Sequence, residues 1–119
     1  MDVIIKKESE IKSTVPGGGD IKGVTKQVLI GAEDGSDKII MRRFVIQTGG
    51  NTPYHTHDFE HVVQVESGFG IAVDKNGVEY QVRSGQSLFI EPNEKHQFKN
   101  PNPEPFQFLC IIPNPEKTG

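Results

Sequence analysis

Apolar residues along this chain come in short bursts, and none of them recurs every three or four positions over a helical length. The pattern predicts strands and almost no helix. The predicted strands cover residues 27–30, 38–47, 60–66, 71–75, 78–82, 87–91, 96–99 and 106–112. Turn formers stand between them: the run TGGNTP after residue 47, Gly85, and Pro92-Asn93. Asn76-Gly77 suits a two-residue hairpin turn, in which both residues need φ > 0. Residues 13–20 (STVPGGGD) predict a mobile loop, because three consecutive glycines carry high backbone entropy. The proline-rich tail after residue 113 cannot extend the last strand far. The expected organisation is an arm and glycine-rich loop over 1–25, one barrel over 26–113, and a tail over 114–119. Many short strands in one unit mean an all-β sandwich or barrel. A barrel of this kind is wide enough to hold a small ligand.

Composition narrows the function more than the fold. A chain of 119 residues is one domain. Eight prolines and thirteen glycines agree with a turn-rich β architecture. The net charge is −3 and no block of Lys and Arg stands out, which argues against nucleic acid and anionic membranes as partners. Lys6-Lys7 and Arg42-Arg43 are only pairs, and read as solvated surface. No apolar run approaches the roughly 18 residues that a membrane span needs. The first residues lack the long apolar core of a secretion signal, and the single cysteine, Cys110, cannot close an internal disulfide. Both features lead to the expectation of a cytoplasmic protein.

The chemistry concentrates in four histidines, His55, His57, His61 and His96. Three lie within seven residues. Side chains at i and i+2 of a strand share a face. An unbroken strand would therefore point His55, His57, Phe59 and His61 inward, and Thr56, Asp58 and Glu60 outward. Buried imidazoles need partners, and one metal ion satisfies several at once. Neutral imidazole suits Mn, Fe, Co, Ni, Cu or Zn. Glu60 is the rival third donor if a bulge turns it inward; strand parity favours His61. No Ser-His-Asp set, P-loop or dinucleotide fingerprint is present, so any chemistry has to come from the metal.

Two stretches carry a family resemblance. Gly49, five residues, His55-Thr56-His57, three residues, His61, six residues and Gly68 resemble the first cupin motif, with His61 where Glu is usual. Gly85 through His96 to Asn100 resembles the second. Pro92 falls one position late, and Asn93 stands in place of a glycine, which a left-handed Asn can tolerate. The runs 28–31 (VLIG), 90–94 (IEPNE) and 108–113 (FLCIIP) are similar to those of small bacterial manganese cupins with a four-histidine site.

The resemblance implies a double-stranded β-helix, or jelly-roll, barrel and a homodimer. It also implies one divalent transition metal per subunit, manganese first, held by His55, His57, His61 and His96. In the last strand both faces are apolar, and the resemblance favours Phe108, Cys110 and Ile112 as cavity lining. Parity with His96 adds Phe98. Cys110 is either a small buried hydrophobe or a thiol facing the ion. Four neutral donors would leave an octahedral ion two open positions, which suits a small-molecule ligand. The expected function is a dioxygenase or other oxidoreductase acting on a small unsaturated, enolic or chelating molecule. The alternatives are a non-catalytic metal or ligand-binding module and a metal-dependent isomerase. The apolar segment Val3 to Ile11 is expected to pair with a partner subunit's sheet and cover its edge.

Overall fold

The computed structural model describes residues 3–115. Its strands are β1 (Lys22–Ile30), β2 (Ile39–Asn51), β3 (His61–Ser67), β4 (Phe69–Val73), β5 (Glu79–Arg83), β6 (Ser87–Ile90), β7 (Gln97–Lys99) and β8 (Phe106–Pro113). Helical structure among the described residues is limited to two single 3-10 turns, Glu8–Glu10 and Ala32–Asp34. Every strand pairing is antiparallel, in the order β5-β4-β7-β2-β8-β3-β6, with β1 along the other edge of β2. The sheet curls on itself as a jelly-roll barrel.

The long strand β2 organises the barrel. Its register with β8 sets Arg42 opposite Cys110, Phe44 opposite Phe108 and Ile46 opposite Phe106. Residues opposite each other in such a pair share a face, so these three pairs line the interior together. In β8 the residues Phe106, Phe108, Cys110 and Ile112 are all buried, whereas Ile111 is exposed. Val63 and Val65 of β3, Ile90 of β6 and Phe98 of β7 complete the core. Gly70 is needed where β4 crosses Phe106: a Cβ there would lie 2.3 Å from the ring. Buried Asn100 closes the turn after β7, donating through its side-chain amide to the carbonyls of Ile46 and Glu104.

Two expectations need correction, and the start of a third element, the glycine-rich loop, is fixed by pairing. The Asn76-Gly77 turn has a positive φ only at Gly77. Asp74 accepts the backbone N–H groups of Asn76 and Val78 through Oδ1, and this side-chain anchor replaces the two-residue turn with a wider one. The glycine-rich loop is tied down in front, where Thr14 and Lys26 exchange both backbone hydrogen bonds at 2.8 Å. β1 also starts at Lys22, earlier than its apolar pattern suggests, because β2 is long enough to pair with all of it.

Candidate metal centre

His55 and His96 face each other across an isolated bridge, exchanging backbone hydrogen bonds of 3.0 and 3.1 Å. The chain then bends at Asp58-Phe59 and re-enters the sheet with His61 as the first residue of β3. No continuous strand runs from His55 to His61, so strand parity is not what aligns them. The bend aligns them. It is held by the His57 carbonyl, which accepts the N–H of Asn93 at 2.7 Å. Asn93 is left-handed, with φ 67°, as its place in the second motif anticipates. On the far side, buried Thr52 accepts the Phe98 N–H on its hydroxyl at 2.8 Å and so fixes β7 beneath His96.

The result is four imidazoles on one wall of a cavity of about 210 Å³. Donor nitrogens of His55, His57 and His96 all lie within 4.8 Å of one another. The His61 ring sits beside this triad, its centre 4.8 Å from that of His96 and 5.2 Å from that of His57. Glu60 is exposed, which removes it from the wall. The Nδ1 of His96 lies 2.8 Å from the Glu94 carbonyl, which can only accept. Nδ1 therefore carries the proton, and the Nε2 lone pair is left free for a ligand role. His61 is buried and its Nδ1 has no hydrogen-bond partner. A buried imidazole nitrogen without a partner is rare in a folded protein, and this one belongs to a ring that neighbours the triad without being one of its three members.

Burial lowers the pKa of all four histidines, His55 to about 4 and His61 to about 3. Mutual repulsion adds to this for His55, His57 and His61, as does the nearby Arg42 guanidinium. His55 and His61 are thus neutral at pH 7 with their lone pairs available, which is the state a divalent transition metal requires. The donor set of His55, His57 and His96 fits such an ion, with the His61 ring beside it.

Of the remaining predicted site residues, Phe98, Phe108 and Cys110 line the cavity. Ile112 does not: it lies two residues beyond Cys110, opposite Ile40, and packs into the core. Burial raises the Cys110 thiol above its ordinary pKa, and its sulfur accepts a hydrogen bond from Arg42 Nη2 at 3.0 Å. Sequence reasoning missed Arg42, Lys26 and Phe44, all of which line the cavity. The basic pair at 42–43 is not solvated surface. Alternation along β2 sends the two side chains to opposite faces: Arg42 inward over the Phe44 ring at 4.9 Å, Arg43 outward to Glu66 at 2.7 Å. The alternation was available from the sequence, but both faces of β2 are largely apolar, so it had no polarity to read.

Residues 42–112 match the family model for the cupin domain. The chain belongs to the cupin family. Among solved structures, this cupin is similar to the polyketide cyclase RemF from Streptomyces resistomycificus, with 27% identity and a TM-score of 0.89 over 93% of this chain and 79% of that one. It also shares its fold with a predicted oxalate decarboxylase from Thermotoga maritima, at 22% identity and a TM-score of 0.81, covering 92% and 98% of the two chains. A curated relative is the HTH-type transcriptional activator RhaS of Salmonella arizonae, 35% identical over 69 residues. That match takes in 49% of the cupin and 24% of the activator, so the chain spans about a quarter of that relative's length.

Proposed function

We propose that this cupin holds one divalent transition metal ion, manganese first, through His55, His57, His61 and His96. We further propose that it acts as an oxidoreductase, of dioxygenase type, on a small unsaturated, enolic or chelating organic molecule bound in the same cavity. The observation that carries this reading is a cavity lined by four imidazoles and no carboxylate, with donor atoms of His55, His57 and His96 within 4.8 Å of one another. Such an ion supplies Lewis acidity and, as manganese or iron, oxygen chemistry. The chain's own residues do the rest. His96 is oriented by the Glu94 carbonyl, and burial keeps His55 and His61 in the neutral, donating state. Phe44, Phe98 and Phe108 exclude water from the inner wall and offer flat apolar surface to an unsaturated substrate.

Similarity to a polyketide cyclase supports an organic substrate of this general kind. The shared stretch with a transcriptional activator supports a second reading, a ligand-binding module without turnover. Metal analysis of protein purified without added metal, followed by oxygen uptake with enols, diketones and aryl alkenes, tests the first. Stoichiometric manganese or iron with uptake above the chelated control is expected. A tightly held tetrahedral zinc with no uptake on any substrate favours the second reading.

The active unit in this reading is a homodimer. Val62, Phe89 and Ile111 are exposed neighbours on the outer face, Val62 being registered with both of the others. An exposed apolar cluster of this kind suits contact with a second copy. In the arm, Gln27 Nε2 donates to the carbonyls of Glu8 and Ile11 and ties that part to its own subunit. Val3, Ile4 and Ile5 stay exposed and are the part free to reach across.

A further inference from the structure

We infer that the cavity selects a small organic carboxylate, with Arg42 and Lys26 as the groups that recognise its charge. This rests on reading the cavity as a substrate site, and it names the class of substrate. The chain as a whole is acidic, yet the cavity lining holds two cations and four imidazoles and no Asp or Glu. Among the described residues Arg42 forms no salt bridge. Its one hydrogen-bonded partner is the sulfur of Cys110, a weak acceptor, and its Nε is buried with no partner at all. A guanidinium with an unmet inward donor is rare, because such a group loses hydration without compensation.

Lys26 stands on β1 one residue from Thr25, whose β2 partner is Val45, and its own β2 partner is Phe44. It therefore shares the inward face with Phe44 and Arg42. Both cations line the same cavity, and burial and the Arg42 charge both lower the Lys26 pKa. An anion placed there relieves both.

The planar guanidinium suits a carboxylate bound through two parallel hydrogen bonds. The aromatic wall of Phe44, Phe98 and Phe108 suits a flat, apolar remainder rather than a hydrated phosphate. The chemistry matched is that of an aryl or conjugated carboxylate, its charged end toward Arg42 and Lys26 and its body along the rings. Arg42 sits over the Phe44 ring, which holds the guanidinium plane in place and reduces what must be ordered on binding.

Calorimetric titration of the full chain with cinnamate, its neutral amide and inorganic phosphate tests this, with the protein as purified and after chelation. Cinnamate should bind both forms, at least about tenfold more tightly than the amide, with affinity falling as salt rises. Arg42→Gln should weaken cinnamate by about tenfold or more and leave the amide unchanged, and Lys26→Met should weaken it less. Should Arg42→Gln fail to fold, Lys26→Met and the acid-to-amide ratio still decide. Equal binding of acid and amide, no binding of cinnamate, or an affinity untouched by both substitutions would overturn the inference. Phosphate binding as tightly as cinnamate would overturn the carboxylate class. Binding that needs the metal and ignores Arg42 would sink this inference and spare the proposed function. Arg42-dependent binding in a protein that takes up no metal would do the reverse.

Discussion

Lowering the pH of the metal-free protein from 7 to 5 should cost it about 3 kcal/mol of stability, and the histidines are the cause. The unfolded chain takes up a proton at each histidine near the ordinary value of about 6.5. In the folded protein His55 does so only at about 4 and His61 only at about 3. Between these limits the unfolded state binds more protons, so stability falls as pH falls below about 6.5 and goes on falling toward the folded values. For a histidine still neutral in the fold at pH 5, the loss from pH 7 to 5 is about 2 kcal/mol. That figure is insensitive to how far below 5 the folded value lies. His61 is buried and takes the full amount. His55 is half-buried, and solvent screening reduces its share to about 1 kcal/mol. The sum, about 3 kcal/mol, corresponds to a melting temperature lowered by on the order of 10 °C. Carboxylates such as Glu66, whose pKa Arg43 holds below the ordinary value, lose their contribution only at lower pH, so this window isolates the histidines. Thermal melts of chelated protein across this range measure the loss. The His61→Leu variant should show a loss smaller by about 2 kcal/mol. A flat profile in the parent, or an unchanged slope in His61→Leu, would refute the reasoning.

Other outcomes follow from the same geometry. His57→Ala should strip most of the metal found by elemental analysis, while Glu60→Gln, altering an exposed side chain, should keep it; the opposite pattern would transfer the third ligand to Glu60. Gly70→Ala would drive a methyl group to 2.3 Å from the fully buried Phe106 ring and should lower stability by about 1–3 kcal/mol in urea titration. Light scattering at micromolar concentration should give the mass of a dimer, and truncation through Ile5 should weaken it if Val3–Ile5 reach across.

Much of the candidate site could be read before any coordinates. Two spaced motifs marked His55, His57, His61 and His96, and turn residues with short apolar bursts marked an all-β barrel, because both depend on local composition and spacing. Asn93 shows the local kind of inference at its best: a left-handed position tolerates few side chains, and the motif's glycine position told where one was needed.

Other features depended on contacts between distant segments. Parity along one strand predicted the inward turn of His55, His57 and His61; their rings do lie close together, but through a bend pinned by Asn93, thirty-odd residues away. Arg42 and Arg43 are indistinguishable in sequence. Pairing of β2 with β8 sends the first into the cavity against Cys110 and leaves the second to Glu66. Lys26 likewise acquires its place from pairing with Phe44, and the start of the glycine-rich loop from the bridge between Thr14 and Lys26. Alternation reveals that a strand has two faces, and polarity reveals which is inside only when the faces differ. In β2 and β8 both are largely apolar. The sequence by itself determined the histidine cluster, through the spacing of its two motifs, and the closing of the sheet decided which cations share its cavity.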